Sequence, residues 1–121
     1  MSTVLVVDDT LTELEVLAIC LRRGGLRVLT AISGEDALSQ AQQLKPDAIL
    51  LDIVLPGLSG FELCRELKNM PATSQIPVVL CSTKDTAMDR FWGLKQGADA
   101  YLTKPIDQEE LIRTVKSVLR R

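Results

Sequence analysis

The chain has 121 residues, 14 basic and 16 acidic side chains, a net charge of −2, and 46% hydrophobic residues. That length suits one domain with a real core. The mild acidity excludes a basic nucleic-acid-binding surface, and no apolar stretch nears the roughly 18 residues that span a bilayer. Histidine is absent, so catalysis and metal binding fall to carboxylates, hydroxyls and lysines. Met1-Ser2-Thr3-Val4 enters an apolar segment without a basic leader, so no signal peptide is expected. Cys20, Cys64 and Cys81 are odd in number and sit in apolar segments, as small buried hydrophobes of a reducing compartment do, which places the chain in the cytoplasm.

Val4 to Val7 is a β-branched run, a first strand ending at Asp8-Asp9. Thr10 is placed to cap the next helix, in which Leu14, Leu17, Ala18 and Leu21 keep helical spacing up to Gly24-Gly25. Leu26 to Ala31 reads as a second strand. Ser33 caps a second helix with Ala37, Leu38 and Ala41 inward, ended by Lys45-Pro46. Asp47 to Asp52 is the third strand. Its Ala48–Leu51 core is aliphatic throughout, as in a strand buried on both faces, and Pro56, Gly57 and Gly60 then force a loop.

Ser59-Gly60-Phe61-Glu62 has capping-box spacing and starts a third helix, carrying Cys64 and Leu67 and ending before Pro71. Val78 to Cys81 is a fourth strand closed by Ser82-Thr83. A fourth helix runs from about Asp85 to Gln96, with Ala87, Phe91 and Leu94 as its expected core stripe. Met88 and Trp92 lie about 100° round from that stripe. Asp99 to Thr103 is a fifth strand, followed by Lys104-Pro105. Asp107 caps a last helix through Glu110, with a stripe of Leu111, Ile112, Val115, Val118 and Leu119.

Strand and helix alternate five times. This is an α/β pattern, a doubly wound five-stranded parallel sheet, and right-handed crossovers favour the flavodoxin-like order 2-1-3-4-5. The alternation fills residues 1–121, so a single domain without an attached output module is expected. In that order Asp8, Asp9, Asp52, Ser82 and Lys104 all reach one sheet edge, where open α/β sheets bind ligands. Clustered carboxylates repel unless a cation sits among them. Hard oxygen donors without His or Cys favour Mg²⁺, and a hydroxyl and an ammonium opposite it would cradle a phosphoryl group. Each piece has a plainer reading by itself. Asp8-Asp9 could cap a helix, Asp52 could form a turn, Lys104 could be solvated and Tyr101 could pack on an edge strand. Their coincidence at one edge favours the site.

Asp8-Asp9, Asp52 followed by Pro56-Gly57 and Gly60, Ser82-Thr83, and Lys104-Pro105 closely resemble the receiver domains of two-component response regulators, across the whole chain. The resemblance implies a stand-alone receiver that takes a phosphoryl group on Asp52 from a sensor histidine kinase. It implies a protein that catalyses its own phosphoryl transfer and autodephosphorylation but has no turnover substrate. It implies Mg²⁺ held by Asp8, Asp9, Asp52 and the carbonyl of Val54. It makes Ser82 and Lys104 partners of the phosphoryl group, Ser82 and Tyr101 the switch, and Lys104–Pro105 a cis peptide bond. Its output would be a protein partner on the face of the fourth helix, fifth strand and fifth helix, around Met88, Trp92 and Tyr101. Trp, Tyr and Met are enriched in interface cores. The run Arg90-Phe91-Trp92-Gly93 also resembles cyanobacterial pilus and phototaxis receivers. A monomer or weak dimer is implied, with no nucleic acid and no membrane insertion.

Two other chemistries on such a fold suit these residues less well. An FMN binder on this fold would need a hydroxyl-rich phosphate loop and aromatics to sandwich the ring. Here the first loop is Asp8-Asp9-Thr10 and aromatics are 3% of residues. A haloacid-dehalogenase-type hydrolase carries a second Asp two residues after its nucleophile, where this chain has Val54.

Overall fold

The strand Ala48–Asp52, an aliphatic run closed by an aspartate, lies at the centre of the sheet and is buried at every position, as a strand covered on both faces must be. The computed structural model describes residues 1–120. In chain order it contains β1 (Thr3–Val7), α1 (Leu11–Arg23), β2 (Arg27–Ala31), α2 (Gly34–Leu44), β3 (Ala48–Asp52), α3 (Gly60–Asn69), β4 (Val78–Ser82), α4 (Ala87–Lys95), β5 (Ala100–Thr103) and α5 (Gln108–Leu119). All strand pairs are parallel and the order is β2-β1-β3-β4-β5, as the alternation implies. No helix among the described residues is long and apolar enough to cross a membrane.

The period-2 alternation of the strands divides the core. Leu5, Val7, Ile49, Leu51, Val78 and Leu80 face one way and meet Ala37 and Ala41 of α2 and Leu63, Cys64 and Leu67 of α3. Val4, Val6, Leu50, Val79, Cys81 and Leu102 face the other way, against Leu14, Leu17 and Leu21 of α1 and Leu111, Val115 and Val118 of α5. The three cysteines are free and buried, and burial pushes the Cys64 thiol up to about 11, so they pack as hydrophobes.

At the edge away from the carboxylates, Lys68 Nζ donates to the Ile76 carbonyl at 2.8 Å and pairs with Asp99 Oδ2 at 3.0 Å. The same Asp99 oxygen accepts the Val78 N–H at 2.8 Å. This tie joins α3 to the starts of β4 and β5, at the opposite end of those strands from Ser82 and Lys104.

Three local expectations are corrected. Thr10 occupies the N-cap of α1 but its side chain caps nothing; its N–H donates to Asp8 Oδ1 at 2.9 Å instead, so the turn is built by the aspartate. At α3, Ser59 Oγ accepts the Glu62 N–H at 3.3 Å, but the Glu62 carboxylate meets the Ser59 hydroxyl rather than the backbone. The full reciprocal box is at α4, between Thr86 and Asp89. Most consequential, Ala87, Phe91 and Leu94 are not the core stripe of α4. All three are exposed, and the only buried residue of that helix is Gly93. The helix rests its bare backbone on Leu80 and Tyr101, because a Cβ at Gly93 would lie 3.0 Å from Leu80 Cδ1 and 3.1 Å from Tyr101 Cδ2. A contact made by glycine leaves no trace in a hydrophobicity pattern.

Candidate functional site

The carboxyl ends of β1, β3, β4 and β5 open on one cleft of ≈ 320 Å³, lined by Asp9, Thr10, Glu13, Asp52, Val54, Ser82, Thr83 and Lys104. The register explains the convergence. β1 and β3 pair through Val7 and Leu51, and β4 and β5 pair through Ser82 and Thr103, so the next residues leave the sheet side by side. The Lys104 N–H donates to the Ser82 carbonyl at 2.8 Å, which extends the β4–β5 ladder to the lysine itself. Pro105 follows through a cis peptide bond.

The Lys104 ammonium is the hub. Its Nζ lies 3.1 Å from Asp8 Oδ2, 3.2 Å from Asp52 Oδ2 and 3.4 Å from Glu13 Oε1. Asp8 is fully buried, and its other oxygen holds the Thr10 N–H. Asp52 is nearly buried, with Oδ1 accepting the Val54 N–H at 3.3 Å. Three carboxylates in such proximity would repel strongly, and the single ammonium offsets this. Burial is the main force pushing the Asp52 carboxyl above its ordinary range; Lys104 opposes it and Asp8 adds to it. Burial pulls the Lys104 ammonium down, but Cys81, Asp52 and Asp8 together push it up on balance. Burial raises the Cys81 thiol so far that it is neutral at pH 7. The carboxylates are therefore what keep Lys104 charged.

Ser82 is buried at the end of β4, and its Oγ accepts the Lys84 N–H at 3.1 Å. Tyr101 points into the fold beside it. Its ring is mostly buried and its hydroxyl donates to the Lys84 carbonyl. Burial, with Asp89, raises the Tyr101 phenol, while the Ser82 hydroxyl and Arg90 pull it down. Tyr101 therefore offers a partner little surface, contrary to its expected place on the output face. Met88 and Trp92, about 71% and 49% exposed, do offer it, together with Phe91 and Leu94.

The structure thus brings Asp8, Asp52, Ser82 and Lys104 together, with exposed Asp9 and Val54 at the cleft mouth. It adds Glu13, which the sequence reading missed. The carboxylate oxygens of Asp8, Glu13 and Asp52 all lie within 4.8 Å of one another. The signal was present as an acidic residue in the first turn of α1, four positions after Asp9, but that position also suits a helix dipole. All-oxygen donors, two of them on buried aspartates, fit a hard divalent cation. Here Lys104 already supplies the positive charge that such a cation would increase.

The comparisons agree with this geometry. The family model described as response regulator receiver domain matches residues 4–116. Protein PilH of Pseudomonas aeruginosa is 47% identical over 98% of each chain. Response regulator PleD of Caulobacter vibrioides is 44% identical over 97% of this chain, which spans 26% of that relative. Among solved structures, a putative response regulator from Chloroflexus aurantiacus superposes with a TM-score of 0.95 at 38% identity, covering 99% of this chain and 98% of that one. The chemotaxis response regulator CheY4 of Vibrio cholerae gives 0.91 at 30% identity, with 98% of each chain covered. With a matching strand order, an acidic cleft at the matching edge and relatives along its whole length, the chain belongs to the response regulator receiver domains of two-component signalling.

Proposed function

We propose that Asp52 is the phosphoryl acceptor of a stand-alone receiver, loaded by a sensor histidine kinase. A carboxylate oxygen of Asp52 attacks phosphorus and the bond to the donor imidazole breaks, leaving an acyl phosphate on Asp52 and the proton-accepting imidazole on the kinase. The observation that carries this reading is Lys104, which bridges Asp8 and Asp52 at 3.1 and 3.2 Å beside the Ser82 hydroxyl. An ammonium and a hydroxyl flanking one carboxylate are what three phosphoryl oxygens need for charge balance and hydrogen bonds. Mg²⁺ would be held by Asp8, Asp9, Asp52 and the Val54 carbonyl, and would supply charge neutralisation on the incoming phosphoryl group. Incubation with Mg²⁺ and a small phosphodonor should add one acid-labile phosphoryl group, measured by intact-protein mass. Unaltered mass under conditions that load another receiver would overturn the reading.

Asp9 tests the metal set. It is exposed at the mouth of the cleft. Asp9→Asn should weaken Mg²⁺ binding about tenfold or more, read by calorimetry. Its metal-free melting temperature should be equal or higher, because one like charge is removed. A large metal-free loss would instead make Asp9 a structural group of the β1–α1 turn.

Output is read as a protein partner on α4, β5 and α5, in the cytoplasm, with the receiver a monomer or weak dimer. Resemblance to a chemotaxis regulator supports a motility pathway, as does the Arg90–Gly93 run. Trp92→Ala should leave phosphorylation intact and weaken a phosphorylation-dependent complex by about 2 kcal/mol, roughly 30-fold. Unchanged binding by every such partner would move the output face elsewhere.

A further inference from the structure

Arg90 lies one turn into α4 and makes two contacts that a solvated arginine does not. Its guanidinium carbon sits 5.3 Å from the centroid of the Tyr101 ring. Its Nη2 donates to Thr103 Oγ1 at 2.7 Å. Tyr101 and Thr103 are two apart on β5, so both project from the same side of the strand toward α4. The guanidinium therefore spans ring and hydroxyl at once, a match to its planar fork that an ammonium cannot reproduce. Next to it, Gly93 lets the α4 backbone approach the ring, and the Tyr101 hydroxyl donates to Lys84. The ring is thus held at its hydroxyl by the β4–α4 loop, on its edge by Gly93 and on its face by Arg90.

We propose that Arg90 is a positioning residue of the switch: it clamps the Tyr101 ring in its inward position before any phosphoryl group is present. This rests on the reading of Asp52 as acceptor and Tyr101 as switch. Hydrophobic periodicity does not set Arg90 apart from other charges on an exposed helix face; the contact with the Tyr101 ring does. The clamp acts on an equilibrium. If the phosphorylated site favours the inward ring, anything else that favours it raises the affinity of the site for the phosphoryl group or its mimic by up to the same factor, the full factor being reached where the inward ring is the minor state. An exposed cation–π contact and one charge-assisted hydrogen bond together should shift the inward-to-outward ratio about fivefold, which is ~1 kcal/mol at 1.4 kcal/mol per tenfold.

The test is calorimetric titration of beryllofluoride, an acyl-phosphate mimic, in saturating Mg²⁺. Arg90→Gln should bind it more weakly than wild type, by up to about fivefold. Arg90→Lys, which keeps a cation over the ring but loses the fork, should fall between them. Because Arg90 is exposed, both variants should melt near wild type. In a Tyr101→Leu background, which keeps apolar bulk without the ring, Arg90→Gln should change the affinity by less than about twofold. Equal affinity of Arg90→Gln and wild type overturns the clamp. So does an equal loss in the Tyr101→Leu background, which would mean that Arg90 acts on the site by its charge alone. If wild type itself binds no beryllofluoride, the acceptor reading fails and the clamp with it, so the two failures are distinguishable.

Discussion

Asp52→Asn is expected to reduce phosphoryl labelling at least 100-fold, to background, in the presence of Mg²⁺ and a small phosphodonor (roughly the loss expected when a nucleophile is removed). The amide is close in shape to the carboxylate, so Lys104 keeps Asp8 at 3.1 Å and Glu13 at 3.4 Å, and the cleft should not collapse. The same substitution should raise metal-free stability at neutral pH. The folded-state pKa of Asp52 lies above its ordinary value, chiefly through burial. In the pH window between those two values the folded protein therefore binds more protons than the unfolded chain. Its stability falls as pH rises through that window. Asn removes this loss, so the variant should melt higher than wild type at pH 7 without metal, and the gap should close toward pH 4. Acid-labile labelling of the variant at the wild-type level would sink the assignment of Asp52. A lower metal-free melting temperature at pH 7 would show that the Lys104 pair outweighs burial.

Gly60→Ala should lower stability by about 3 kcal/mol, roughly 10 °C in melting temperature, near the upper end for single substitutions. Gly60 opens α3, and its N–H donates to the Ile53 carbonyl at 2.7 Å. An added Cβ would meet the Asp52 carbonyl oxygen and the Ile53 Cα, both backbone atoms that cannot rotate away. The loop after β3 must then shift, and Asp52 with it, so whatever variant folds should also accept phosphoryl groups more slowly. Gly57→Ala is the comparison. It adds a Cβ into open space but at φ +76, so it should lose only about 1 kcal/mol from left-handed backbone strain. Thermal melts of the two variants that rank the other way would refute the clash.

The architecture was legible in the chain because its signals are local and periodic. The apolar runs Val4–Val7, Ala48–Leu51 and Val78–Cys81 read as buried strands, and five alternations with right-handed crossovers favour the order β2-β1-β3-β4-β5, which the sheet has.

 Caps at Ser33, Ser59 and Asp107 were legible for the same reason, since each bonds an N–H three residues away. The convergence of Asp8, Asp52, Ser82 and Lys104 followed from strand order alone, because each is at or next to the carboxyl end of a strand.

What depends on distances between segments far apart in the chain emerged only from the folded arrangement. Glu13 joins the Lys104 hub across 91 positions, through a rotamer and a helix angle that no spacing encodes. The face of α4 was misread because its one buried residue is Gly93, whose packing is made by the absence of a side chain. That rotation carries Phe91 and Leu94 to the surface and sets Arg90 over Tyr101. Hydrophobic periodicity reports which side chains leave water. It is blind to backbone contact, to long-range ion pairs and to a polar side chain that bridges two partners, and these are the interactions that shape the cleft and the ring beside it.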